Sequence, residues 1–100
     1  MAYGYIGSMR TRPGCRDKVA EILVGGADAL REVGCQLYVI SVSETDPDII
    51  WSSEVWDTKE AHDASLLLPA AKAAIAEVIP MLTGEFTREE LTVVGGLGVN

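Results

Sequence analysis

The chain's single histidine, His62, stands in the stretch KEAHDASL, residues 59–66 of 100. An imidazole with an ordinary pKa near 6.5 can take or give a proton at neutral pH. On a helix it shares a side with Ser65 and Leu66, three and four residues on. Two tryptophans, Trp51 and Trp56, and three tyrosines, Tyr3, Tyr5 and Tyr38, supply aromatic surface. This set could serve a catalytic site or a ligand pocket with one acid–base group, or plain scaffold. It does not suit a metal, because no second histidine or cysteine stands at ligand spacing. The GGLG run from Gly95 to Gly98 lacks the glycine spacing and following helix of a phosphate loop; it marks a C-terminal end that crosses to a partner. The competing reading of His62 is a solvent-exposed side chain beside Asp63, or a packing residue. Each aromatic ring has a competing role in the core.

The elements that must position these side chains follow from the pattern of apolar residues. Residues 2–9 read as a first strand, ended by TRPG with Pro13 and Gly14. Val19, Ile22, Leu23, Ala27, Leu30 and Val33 recur at three- and four-residue spacing, which predicts one helix over 16–33. Gly34 suits its left-handed C-terminal cap. Gly25 and Gly26 fall inside that helix. Gly26, three residues after Leu23, lies on the apolar face, where it serves either close packing or space for a ligand. CQLYVISVS (35–43) is a second strand rich in β-branched residues. ETDPD is a turn, and IIWSSEVW (49–56) a third strand, so the two strands form a hairpin.

Asp57 is expected to cap the next helix, with Glu60 three residues on as in a capping box, and that helix runs to about Leu67. Pro69 opens a further helix, and Pro80 should weaken its last turn. LTVVGGLG (91–98) is the expected fourth strand. The order β-α-β-β-α-β, with the second helix broken in two, is the ferredoxin-like split pattern of an α+β domain, here one domain over 1–100.

Alternation assigns faces. Trp51 and Trp56 lie on opposite faces of the third strand because their separation is odd. Trp51, with Ser53, is expected in a cavity on the helix side of the sheet, and Trp56, with Glu54, on the outer side. Tyr3 and Tyr5 share one face of the first strand, Ile6 and Ser8 the other. The expected substrate-binding residues are Trp51, Ser53, Ile6 and Ser8 from the strands and Gly26 from the first helix. Ser65, Leu66 and Tyr38 complete the set, around His62 as the acid–base residue. On this reading His62→Ala slows turnover at least roughly tenfold and leaves thermal stability nearly unchanged.

Composition constrains the partners. Apolar residues make up 48% of the chain and mean hydropathy is +0.19, rich for so small a domain. The third strand carries apolar side chains on both faces, and helices are available for only one. A second copy of the chain is the natural cover, giving a two-fold dimer with a barrel-like centre. Eight basic against fifteen acidic residues leave a net charge of −7, with Arg10, Arg12, Arg16 and Lys18 the one loose basic group. Nucleic acid, which needs a concentrated positive face, is excluded as a partner. No run approaches the roughly 18 apolar residues of a membrane span, and the N-terminus does not read as a signal peptide. Cys15 and Cys35, separated by a helix, are expected as free thiols in a cytoplasmic protein.

The chain resembles the antibiotic biosynthesis monooxygenase family. The likeness rests on the RPG turn (Arg12 to Gly14), the long first helix, Gly34–Cys35 before the second strand, EVW (Glu54 to Trp56) followed by the KEAHDASL helix, and Thr92–Val93 near the end. The resemblance implies a dimeric α+β barrel and a monooxygenase that needs no metal, flavin or haem. It implies oxidation of small phenolic or quinol-type aromatics with molecular oxygen, nearest the quinol monooxygenase branch. A related haem-degrading branch uses an asparagine in strand 1, a tryptophan in the helix after VW and a histidine in the last helix. This chain has none of these; its only asparagine is Asn100. Two alternatives stay open: a non-catalytic barrel that binds a small aromatic, and an isomerase or lyase on the same fold.

Overall fold

The computed structural model describes residues 1–99; Asn100 lies outside them. Four antiparallel strands form one sheet in the order β2-β3-β1-β4: β1 Tyr3–Thr11, β2 Cys35–Val42, β3 Ile49–Trp56 and β4 Leu82–Thr92. Three helices accompany it: α1 Arg16–Gly25, α2 Lys59–Ser65 and α3 Pro69–Val78. This is the α+β, ferredoxin-like arrangement of the split pattern. No single helix is long and apolar enough to cross a membrane.

The core sits between the sheet and the helices. Val19 of α1, Ile50 of β3, Val78 of α3 and Leu82 of β4 are buried together, with Met9, Leu23, Ile40 and Met81 packed against them. Full burial of such side chains contributes about 1.5–3 kcal/mol each. The β2–β3 turn is held from two sides. Arg10 pairs with Asp46 at 3.0 Å and Glu85 at 2.9 Å. Arg16 donates to the carbonyls of Ser43 (3.1 Å) and Asp46 (2.8 Å). The Asp48 backbone N–H and then the Arg10 guanidinium hold the Asp46 carboxyl below its usual range. With Arg12 Nε donating to the Pro80 carbonyl at 3.1 Å, all three arginines of the one basic group are engaged in the fold.

Three local expectations are corrected. The helix expected over 16–33 stops at Gly25 and continues as a 3₁₀ segment, Ala27–Val33. Two adjacent glycines each cost about 1 kcal/mol in a helix interior, enough to end the α-form where it is not fully packed. Gly34 does close the segment at φ 98°, where its N–H reaches the Leu30 and Arg31 carbonyls. A Cβ there would also stand 3.1 Å from that of Ala61. Thr58, not Asp57, caps α2: its Oγ1 accepts from the Ala61 N–H at 3.0 Å. Asp57 instead accepts from Gln36 Nε2 at 2.8 Å.

The fourth strand begins nine residues earlier than expected, at Leu82 rather than Leu91. It is an edge strand exposed along nearly its whole length, so charges alternate with threonines and no apolar period marks it. α3 ends at Val78, followed by a 3₁₀ turn, Ile79–Met81, that contains Pro80. Both cysteines are free and half-buried.

Candidate active site

Register fixes which side chains share the helix-covered face. The pairings run across three strands as Trp56–Tyr3–Thr92, Glu54–Tyr5–Glu90, Ser52–Gly7–Arg88 and Ile50–Met9–Phe86. Ile50 and Met9 belong to the core, so every residue in these four rows faces the helices. Tyr38 of β2 pairs with Glu54 and joins the same face.

Helix α2 lowers His62 onto the first two rows. Its side chain is 11% exposed and stacks on Tyr5, with centroids 5.0 Å apart and planes 24° apart. Tyr3 lies tilted at 5.3 Å and Trp56 meets the ring edge-on at 5.6 Å. Such geometries contribute about 0.5–1.5 kcal/mol per pair beyond area burial. His62 Nε2 faces Glu54 Oε1 at 4.0 Å, and Nδ1 lies 3.0 Å from Asp63 Oδ1 at the surface. The Asp63 carboxyl is held below its usual range, first by that contact. Ser65, also buried, donates its hydroxyl to the His62 carbonyl at 2.6 Å, which locks the end of the short helix.

Glu54 is the second member of the constellation. Its side chain is 10% exposed. Oε2 accepts from Ser52 Oγ at 2.6 Å and Oε1 from Trp56 Nε1 at 2.9 Å. Those donors replace the water that the buried carboxylate has lost. Burial raises the pKa of Tyr5 and carries that of Tyr38 up to about 12, and the negative charge of Glu54 adds to both shifts. Burial likewise raises that of Tyr3, whose buried hydroxyl has no hydrogen-bond partner. These phenols stay protonated at neutral pH and form walls of the site.

Next to this pair lies a cleft of about 300 Å³, with Tyr5, Gly7, Met9, Ser52, Phe86 and Arg88 among its lining residues. Gly7 makes its floor. A Cβ there would stand 2.8 Å from the Thr87 carbonyl oxygen and 3.3 Å from the Tyr5 ring. Ser52 is the hinge of the arrangement: it lines the cleft and donates to Glu54. A hydroxyl bound there has a two-step route for its proton, to Ser52 Oγ as the serine proton moves to Glu54. His62 and Asp63 continue that line of polar groups to the surface.

The face assignments made for β3 from sequence are reversed. Ile50, two residues before Ser52 and six before Trp56, is fully buried under the helices, so even-numbered β3 residues face the site. Trp51 and Ser53 lie on the opposite face with Ile6 and Ser8. Trp51 is 39% exposed there, and Ser8 pairs its hydroxyl with that of Thr87, although both Ser8 and Thr87 are among the residues lining the cleft. Gly26 is exposed with open space about it, so it frames no pocket. Leu66 is 47% exposed beyond the end of α2. Tyr38, Ser65 and His62 do share the helix-side interior. Sequence reasoning missed Ser52, Gly7, Phe86 and Arg88. Alternation from Ile50 as a core residue reaches Ser52; Phe86 and Arg88 were hidden by the late start given to strand 4. Among the described residues no group of three or more His, Cys, Asp or Glu side chains is placed to hold a metal ion.

The sequence profile of the antibiotic biosynthesis monooxygenase family matches residues 2–77. A crystal structure of a Chloroflexus aurantiacus protein, named as a candidate antibiotic biosynthesis monooxygenase, is 44% identical. It matches over 100% of both chains with a TM-score of 0.89. Similarly named proteins share the fold at lower identity. That of Caulobacter crescentus is 21% identical, covering 94% of this chain and 91% of its own, with a TM-score of 0.85. That of Deinococcus radiodurans is 23% identical, covering 97% and 96%, with a TM-score of 0.78. No protein of curated function matches the chain. With three-quarters of its length under the family profile and a full-length relative of the same name, the chain belongs to the antibiotic biosynthesis monooxygenase family.

Proposed function

We propose that the protein is a cofactor-independent monooxygenase that oxidises a small phenolic or quinol-type aromatic with molecular oxygen in the helix-side cleft. The observation that carries this reading is the Ser52–Glu54–His62 line, which connects an aromatic-walled cleft to buried proton acceptors. Removing a hydroxyl proton from a bound quinol raises its electron density, and the anion can then reduce oxygen directly. One oxygen atom enters the ring. The other leaves as water with the two hydroxyl hydrogens, so the quinol becomes a hydroxyquinone and no external reductant is consumed. Tyr5, Met9 and Phe86 hold the ring, and Ser52 meets the hydroxyl.

Under air, purified protein dialysed against a chelator should consume about one oxygen per dihydroquinone, with one labelled atom from ¹⁸O₂ in the product. Uptake no faster than autoxidation across a panel of bicyclic and tricyclic quinols would refute the reading. Activity lost on chelation and restored by a metal would refute its cofactor independence.

We propose further that two copies pack the outer faces of their sheets together. That face carries Trp51, Val39 and Leu91, each 39–45% exposed, which is costly for large apolar side chains on one patch. The segment after Thr92, with Val94 and Leu97 fully or nearly fully exposed, reaches toward the partner in this arrangement. Interfaces of this kind often bury about 2,000 Å² or more. Sedimentation at micromolar concentration should give a dimer for the wild type and a folded monomer for Trp51→Glu. A wild-type monomer, or an unaltered Trp51→Glu dimer, would contradict the arrangement.

A further inference from the structure

We infer that Arg88 anchors an anionic group of the substrate, so that the cleft selects aromatic anions over their neutral analogues. This rests on the cleft being the substrate site as proposed above. Arg88 stands in the row Ser52–Gly7–Arg88, across the bare Gly7 floor from the Ser52 hydroxyl. Among the described residues it is the only charged side chain lining the cleft. Its charge is felt by Glu90 and Tyr5, whose ionised forms it favours, but no neighbouring carboxylate reaches it at ion-pair distance. Glu54 is engaged by Ser52 and Trp56, and Glu90 pairs with Lys59 at 2.9 Å. Among the described residues Arg88 makes no ion pair and no side-chain hydrogen bond.

Arg88 is exposed on the edge strand, and its guanidinium stays out of any ion pair although the chain holds nearly twice as many acids as bases. Its planar fork matches a carboxylate in two parallel hydrogen bonds. Across the floor, Ser52 is placed for a hydroxyl on the other end of the ring. A hydroxyaryl carboxylate spans the two, with its apolar ring over Gly7 between Tyr5 and Phe86. The same charge favours the ionised over the neutral phenol in the cleft, since an opposite charge nearby stabilises the anion.

The test is binding, read without oxygen or turnover. Calorimetric titration under nitrogen compares 6-hydroxy-2-naphthoate with 6-hydroxy-2-naphthamide, which share ring and hydroxyl and differ in charge. Wild-type protein should prefer the acid by at least roughly tenfold, as for a hydrogen-bonded charge, with the preference shrinking as salt rises. The Arg88 Nε–H resonance should move on adding the acid. Arg88→Met should bind acid and amide alike, and Arg88→Lys should keep a smaller preference. Equal affinity of the wild type for both probes, or an undiminished preference in Arg88→Met, would overturn the role of Arg88 while leaving the cleft as the site. Failure of both probes to bind would overturn the inference and count against the cleft itself.

Discussion

His62→Phe should fold and melt within a few degrees of the wild type, yet lose about 10²–10⁴-fold in kcat/KM on the true substrate, the usual worth of a positioned acid–base group. Phenylalanine keeps a ring against Tyr3, Tyr5 and Trp56 and removes both nitrogens. His62→Ala is a poorer test than the sequence suggested. The imidazole is buried among three rings, so truncation opens a void, and large-to-small core changes cost about 2–5 kcal/mol. Alanine should therefore lower stability as well as turnover, contrary to what an exposed helix position would give. His62→Gln, which keeps a polar side chain but cannot titrate, should fall with phenylalanine rather than with the wild type. Wild-type turnover in either volume-retaining variant would reduce His62 to a packing residue.

Trp56→Ala should be the most damaging single change to stability. Trp56 is 1% exposed and among the largest fully buried side chains. Truncating a buried tryptophan costs about 3–5 kcal/mol, against the roughly 5–15 kcal/mol that holds a domain folded. Here the change also removes the Nε1 donor from Glu54 Oε1 and one wall of the His62 cage. At about 4–8 °C per kcal/mol for a domain near this size, the melting temperature should drop by more than about 10 °C in a thermal scan. Trp56→Phe separates the two contributions: it restores much of the ring contact without the N–H. Its residual loss reports the cost of leaving Glu54 short of a donor. A Trp56→Ala melting point close to that of the wild type would mean the site is not built on this side chain.

The two predictions share one origin. His62 and Trp56 meet because α2 follows β3 after only Asp57 and Thr58, folding the helix back over the strand it has just left. That local return was legible from sequence. The EVW strand end, the polar cap residues and the helical spacing all lie within 15 residues, and short-range signals survive without tertiary context.

Element order, the ferredoxin-like class, the bounds of β3 and the Gly34 cap were determined by the sequence alone, because apolar periodicity and glycine stereochemistry act within a few residues. Period two likewise determined that Trp51 and Trp56 oppose each other. It could not say which face the helices cover, since both faces of β3 carry large apolar side chains and alternation has no sign of its own. Packing of Ile50 against Val19, Val78 and Leu82 decided that, and with it placed Glu54 and Ser52 at the site and Trp51 and Ser53 outside it. The place of β4 was also a tertiary matter. An edge strand of alternating charges and threonines has no apolar face to announce it, and only its ladder with β1 sets Arg88 beside Gly7.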